Sequence, residues 1–309
     1  MTVIDHLDPY SVHSPSWTVH VPRLVCPLNK MTSDWTVKTW HTAGTFLDAY
    51  GQELMKRRSI SANFALTTSF ELVNKQESGQ KDEVLVDSRD IWLSASTTNA
   101  DRPNDTVTVY AIAIVGKHAG RLASSIDPVE LPPSQVADAM RLLVDAANVA
   151  GVPGSRIFGV IGPKTLCVPF TDAWAATYGL QPKPVIDFAI AHVTHATIRP
   201  SSRALPENVT LGLCTLADLD VAAEMCERAT HPMDEPVPPP LDAAAARAHA
   251  EKLIEGKHLY GAWVDGVLRT LVSITRETPL VRAVSKVYTA PEARGRGLAE
   301  DLVRFAIGR

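Results

Sequence analysis

Apolar residues recur along this chain in two alternating periods, every third or fourth position and every second, and the changes of period predict its elements. Ala43, Phe46, Leu47, Tyr50 and Leu54 fall at helical spacing, with Thr42 placed to cap the first turn. A second helical stretch covers Ile60 to Asn74 and closes at Gly79-Gln-Lys-Asp. The period then shortens, and Ile91 to Ser96, Thr106 to Val115 and Arg121 to Ile126 read as strands. Behind Pro132-Pro133, Ser134 is the expected cap of a helix with Val136, Met140, Leu143, Val144 and Ala147 on one face, stopped by Gly151. Arg156 to Ile161 is a short buried strand, Pro163 to Tyr178 a helix ended by Gly179, and Val185 to Ile198 a last strand region.

The pattern then starts again. Val209 to Cys214 is a strand, and Thr215 with Asp218 forms a capping box that opens a helix with Leu216, Leu219, Ala223 and Cys226 inward. A stiff loop, Pro236-Val-Pro-Pro-Pro, precedes the alanine-rich helix Asp242 to Glu255, which ends at Gly256. His258 to Val264 and Val267 to Thr275 flank Asp265-Gly266, the residue pair a tight hairpin turn requires. Ala283 to Thr289 is a third strand, and after Pro291 a helix runs to the chain end. The two series have nearly the same order, α-α-β-β-β-α-β-α-β and β-α-α-β-β-β-α, so the chain reads as a weak internal duplication whose second copy is shorter. The first 30 residues carry neither period and read as a poorly ordered extension, with Met31 a plausible alternative start.

Composition narrows the class. At 309 residues, 45% hydrophobic and 21% charged, the chain has apolar material for two ordinary domains. Its 30 basic and 34 acidic residues leave a net charge of −4, without the basic surplus of a nucleic-acid binder. No apolar run is long enough for a membrane span, and the N-terminus has no signal-peptide core. The cysteines Cys26, Cys167, Cys214 and Cys226 form no Cys-x-x-Cys pair, which points to a reducing, cytoplasmic compartment. The Asn-x-Thr sequons at Asn104 and Asn208 then read as chance. No metal site is expected: His192 and His195 are three apart on an expected strand and would face opposite sides.

One segment carries chemistry, Val287-Tyr-Thr-Ala-Pro-Glu-Ala-Arg-Gly-Arg-Gly-Leu-Ala299. A strand ends, a turn follows, and Arg294-Gly-Arg-Gly leads directly into a helix. Gly295 and Gly297 let the backbone approach an anion and aim several N–H groups at it, and the helix start adds partial positive charge. Arg294 and Arg296 add charge-assisted donors. A dinucleotide fingerprint would place a third glycine where Glu300 stands, and there is no Gly-Lys-Ser/Thr ending.

The pattern Arg-x-x-Gly-x-Ala, carried by Arg294, Gly297 and Ala299, resembles the CoA-pyrophosphate loop of the GNAT superfamily of N-acyltransferases. Upstream elements resemble that superfamily in order from about Glu207. The first half resembles the degenerate N-terminal half of tandem GNAT proteins. The fold so implied is α/β (α+β): two GNAT-like halves with mixed, mostly antiparallel sheets flanked by helices, the second incomplete. The domains expected are 31–200, degenerate, and 207–309, an acyl-CoA-binding domain truncated after the phosphate-loop helix.

The resemblance implies that the strand Ala283 to Thr289 splays from its neighbour. Val287, Tyr288 and Thr289 would then meet the pantetheine arm, and Arg294, Gly295, Arg296, Gly297, Leu298 and Ala299 would hold the pyrophosphate. It implies acetyl-CoA as acyl donor, no metal, and transfer of an acetyl or short acyl group to a primary amine by direct attack in a ternary complex. The acceptor, a small molecule or a peptide, is undefined. In the first half, Asp127-Pro-Val-Glu-Leu-Pro-Pro133 stands at the equivalent of the loop, where prolines lack N–H groups and carboxylates repel phosphate, so that half is expected to be cofactor-blind. The superfamily continues with a further strand and helix bearing an Asn and a Tyr, whereas this chain ends at Arg309. A homodimer or other partner completing the sheet is one expectation, and a non-catalytic acyl-CoA-binding or structural remnant is the alternative to an enzyme. No catalytic base is assigned: the strand carries Lys286 and no carboxylate, and Glu277 and Glu292 flank it.

Overall fold

The computed structural model describes residues 2–4, 35–58, 62–77, 90–97, 108–116, 119–127, 132–184, 192–194, 197–199, 201, 203–229 and 241–308. Two compact units divide the chain, Met1–Phe188 and Ala189–Arg309. The segments around Cys26, Gly79, Asn104, Val185, His195 and Pro236 to Pro240 lie outside the described residues; the end of the expected strand Val185 to Ile198 is a turn, with the Thr197 and Ile198 amides donating to Thr194 O.

The first unit contains strands β1 (Thr2–Ile4) and β2 (Thr36–Trp40), helices α1 (Ala43–Arg58) and α2 (Asn63–Glu77), and strands β3 (Ile91–Thr97), β4 (Thr108–Ile114) and β5 (Gly120–Ser124). Helix α3 (Pro133–Val149), strand β6 (Gly159–Ile161), helix α4 (Lys164–Tyr178) and strand β7 (Pro182–Pro184) complete it. The sheet order is β2-β3-β4-β5-β6-β1-β7, antiparallel except for the parallel pair β5–β6. Helices cover both faces. Leu93, Ala95, Tyr110, Ile112 and Leu122 pack against α3 and α4, while Trp92, Val109, Ala111, Ala113 and Ala123 pack against α1 and α2. That double cover makes β3 and β4 unbroken apolar runs. Two buried groups tie layers together: Trp92 Nε1 donates to Ser69 Oγ at 2.9 Å, and Arg156 pairs with Asp90 at 2.7 Å.

Several local expectations change. Ahead of the first expected helix, Thr36–Trp40 is a strand that pairs with β3 along its full length. Thr2–Ile4, inside the segment read as a loose extension, lies between β6 and β7. Ser134 does not cap α3: the cap position is Pro132, without a side-chain bond, and Pro133 opens the helix. Arg156 sits in a 3-10 turn (Gly154–Arg156), and the strand starts only at Gly159.

The second unit contains β8 (Val209–Leu213), α5 (Leu219–Arg228), α6 (Ala243–Glu255), β9 (Leu259–Val264), β10 (Val267–Thr275), β11 (Ala283–Thr289) and α7 (Leu298–Ile307). The sheet is antiparallel in the order β11-β10-β9-β8. On one face Leu259, Leu268 and Leu271 pack against α5 and α6; on the other Tyr260, Val272 and Ile274 pack against Leu302 and Ala306 of α7. Asp265 and Gly266 both have positive φ (51° and 78°), the conformation the Asp-Gly pair requires. The capping box at Thr215 and Asp218 forms, but it opens a 3-10 turn, and Leu216 there is 58% exposed rather than inward.

With β2 in place the two units share one order, β-α-α-β-β-β-α, and β2-β3-β4-β5 matches β8-β9-β10-β11. In the first unit the outer edge of β5 is taken by parallel β6; in the second, among the described residues, β11 pairs only with β10.

Candidate functional site

The site grows from the junction of β11 and α7. Strand β11 is displaced near its middle: Ser273 faces Lys286 while Ile274 faces Val284, which leaves Ser285 as an extra residue. Ser285 is held by a bond between its Oγ and Ser273 Oγ at 2.8 Å. Beyond the bulge, Val287 opposes Val272 on the α7 face and is 45% exposed. Tyr288 opposes Leu271 and its ring packs into the core under α5 and α6. Thr289 Oγ1 accepts from Thr270 Oγ1 at 3.2 Å. Of the strand residues expected to meet a cofactor arm, Tyr288 therefore offers that edge only its backbone.

After Thr289 the chain makes a short 3-10 turn, Pro291–Ala293, anchored by the buried Ala293 and by an ion pair of Glu292 with Arg269. Gly295 and Gly297 follow with φ of 73° and 69°. These left-handed positions are what glycine permits at little cost. They turn the chain into α7 so that, among the described residues, the amides of Gly295, Arg296, Gly297, Leu298, Ala299 and Glu300 donate to no protein acceptor. The first amide bond back to the loop is Asp301 N–H to Gly297 O at 3.2 Å. A helix leaves its first N–H groups without partners, and here they adjoin a glycine-rich turn.

The side chains around this cradle divide in role. Leu298 is buried and anchors the loop to the core, so only its amide is available. The Arg296 side chain is exposed and has no partner among the described residues. Arg294 is tied back: its Nε donates to Thr289 O at 3.1 Å, and its guanidinium lies 5.9 Å from the Tyr288 ring centroid. That geometry braces the turn between strand and helix and holds positive charge beside it.

On the α5–α6 face Lys286 is half-buried, and burial pulls its ammonium below the usual lysine value. His249 of α6 is also held below its usual value, by burial first and then by Lys286 and Lys252. Cys226 and Cys214 are buried thiols; burial raises both, Cys214 to about 12, so neither is a thiolate near neutral pH. Glu277 is ion-paired with Arg282 at 2.7 Å, and Glu292 with Arg269, so both flanking carboxylates are engaged. Sequence reasoning missed Ser201, Arg203 and Asp301, which meet beside the loop. Nothing local marks them, since Arg203 and Asp301 are 98 residues apart. Ser201, Arg203 and Asp301 also line a cavity of about 380 Å³ behind α7.

In the first unit the corresponding helix start begins with Pro132 and Pro133, which have no N–H to offer. Among the described residues no cluster of three or more His, Cys, Asp or Glu could hold a metal ion, and no helix is long and apolar enough to cross a membrane.

Fold and loop together define an α/β chain whose second unit has a glycine-rich helix start beside a strand edge that, among the described residues, has no partner. No family model and no curated protein matches the chain. Among solved structures it is similar to a GCN5-related N-acetyltransferase from Kribbella flavida, at 19% identity and a TM-score of 0.27, over 33% of this chain and 26% of that one. It is also similar to the aminoglycoside N-acetyltransferase AAC(6')-Iy in complex with CoA, at 16% identity and a TM-score of 0.26, over 35% of this chain and 70% of that one. The first likeness thus spans about a quarter of its counterpart, and the CoA is a property of the second.

Proposed function

We propose that the second unit binds acetyl-CoA and that the chain is an N-acyltransferase for a primary amine. The observation that carries this reading is the row of six unsatisfied amides, Gly295 to Glu300, at a helix start next to a strand edge with no partner among the described residues. A pyrophosphate fits such a row, because each amide donates to an oxygen and the helix dipole favours the charge. The Arg296 side chain, exposed and unengaged, supplies a charge-assisted bond. The free edge of β11 offers N–H and C=O groups at strand spacing to the amides of a pantetheine arm. Arg294 serves as a brace of the turn with its charge close by.

Transfer then requires the amine nitrogen to attack the thioester carbon. The new N–C bond forms, the C–S bond breaks, and the proton released by nitrogen balances the leaving thiolate. This chain's contribution is positioning and hydrogen bonding to the thioester oxygen. No carboxylate is assigned as base, since Glu277 and Glu292 are each paired with an arginine.

Thermal unfolding with and without acetyl-CoA is the test. At 100 times the dissociation constant a bound ligand adds about 2.7 kcal/mol, which shifts the midpoint of a domain this size by several degrees. Arg294→Ala and Gly297→Glu should each remove the shift; a shift unchanged in both would overturn the loop assignment. Binding without transfer to any amine in a panel of polyamines, amino acids, aminoglycosides and lysine peptides would favour the non-catalytic acyl-CoA binder.

A further inference from the structure

On the carbonyl side of the Arg296–Gly297 peptide, a guanidinium holds the glycine loop in place. Arg203 Nη1 donates to the carbonyl oxygen of Arg296, and its Nη2 donates to Asp301 Oδ2. Asp301 lies in the first turn of α7 with its side chain only 7% exposed. It also accepts from Ser201 Oγ at 3.2 Å and has Arg304 Nη1 at 4.0 Å, while its own amide closes on Gly297 O. A Cβ at Gly297 would meet the Arg203 guanidinium, so a side chain there would push Arg203 aside in addition to straining the positive φ.

We propose that Arg203 is a positioning residue for the phosphate loop, which it holds in its anion-receptive shape while neutralising Asp301. The inference rests on the reading of Gly295 to Glu300 as a pyrophosphate site. Two physical arguments carry it. A trans peptide is planar, with C=O and the next N–H pointing in opposite directions. Fixing the Arg296 carbonyl therefore also fixes the Gly297 N–H, which points away from Arg203. Between two glycines the loop would otherwise have broad backbone freedom, and ordering it on binding would weaken affinity. The second argument is electrostatic. A buried carboxylate in the first turn of a helix suits the dipole of an empty helix start, but it repels an anion bound there. Arg203, with Ser201 and Arg304 beside it, offsets that charge so the site can accept pyrophosphate.

The test is the dissociation constant for CoA, by calorimetry on the full chain, for wild type, Arg203→Ala, Arg203→Lys and the double variant Arg203→Ala/Asp301→Asn. The Arg203 side chain is 42% exposed, so its loss should leave the unliganded thermal midpoint within a few degrees. Arg203→Ala should weaken CoA binding by about 10- to 100-fold, the range for loss of a charged hydrogen bond. Arg203→Lys should fall between, since it keeps the charge without the two-pronged geometry. Adding Asp301→Asn to Arg203→Ala should recover part of the affinity, which a merely structural role for Arg203 would not produce. A wild type that binds no CoA overturns the site reading and this inference with it. A wild type that binds, with Arg203→Ala binding equally well or the double variant recovering nothing, overturns this inference alone.

Discussion

Replacing Asp90 by asparagine removes one negative charge from the interior of the first unit and almost nothing else. Asp90 and Arg156 form an ion pair at 2.7 Å with side-chain exposures of 1% and 2%, and Asp90 Oδ1 also accepts from the Gly116 amide at 2.8 Å. Asparagine retains a carbonyl oxygen for that amide, so the variant isolates the charge. Taking the carboxylate charge out of a buried ion pair removes its attraction for the guanidinium, which costs up to about 3–5 kcal/mol. A unit this size loses about 2–4 °C per kcal/mol, so its unfolding midpoint should fall by about 6–20 °C. Urea unfolding followed by tryptophan fluorescence in a Trp263→Phe background reads the first unit alone, through the buried Trp92 and Trp174. The double variant Asp90→Asn/Arg156→Met, which keeps an acceptor for the Gly116 amide, should recover part of the loss, because it removes the guanidinium charge along with the carboxylate. A loss below about 1 kcal/mol in Asp90→Asn would refute the reasoning. It would mean that other groups around Arg156, or water in the cavity of about 100 Å³ beside the pair, carry its charge without Asp90.

Further outcomes follow from the second unit. Leu302→Ala empties a fully buried position between α7 and the sheet and should cost about 2–5 kcal/mol in chemical denaturation. Lys286→Met should raise the titration midpoint of His249, read from its imidazole proton resonances, because Lys286 is one of the charges holding it down. An unmoved midpoint would separate the two groups. Folding keeps the Cys214 thiol neutral up to about 12, against 9.0 for an unperturbed thiol. The unfolded chain therefore loses this proton first, and the contribution of Cys214 to stability should be present below pH 9 and lost as pH rises from there towards 12. Below pH 9 its alkylation should track unfolding, and fast labelling of the native protein would contradict the burial. Gly297→Ala, with an unfavourable φ and a Cβ against Arg203, should reduce CoA-dependent stabilisation while leaving the first unit's unfolding unchanged.

The elements legible in the sequence are those whose determinants are local. Asp265-Gly266 forms its turn because positive φ is a property of two neighbouring residues, and Asp242 caps α6 by accepting from the Ala245 amide at 2.7 Å, within one turn. The burial pattern of α3 follows its apolar face residue for residue. Thr36–Trp40 escaped notice because its alternation is weak, with three exposed positions in five, and its existence depends on pairing with β3 more than 50 residues away. Ser134 carries the right side chain for a cap, but Pro133 starts the helix one residue earlier and makes the cap unnecessary. Leu216 falls at helical spacing yet points outward, since the 3-10 turn before α5 rotates it off the buried face.

By itself the sequence determined the helices and strands with strong periods, the duplication of their order, and the glycine loop that opens α7, because propensity, turn chemistry and amide supply depend on residues a few positions apart. Only the tertiary structure decided which edge of β11 pairs with β10, that Tyr288 faces the core and Arg294 braces the turn, and that Arg203 reaches both Asp301 and the loop. Those depend on sheet register and on side chains brought together over tens of residues, where no local pattern records the partner.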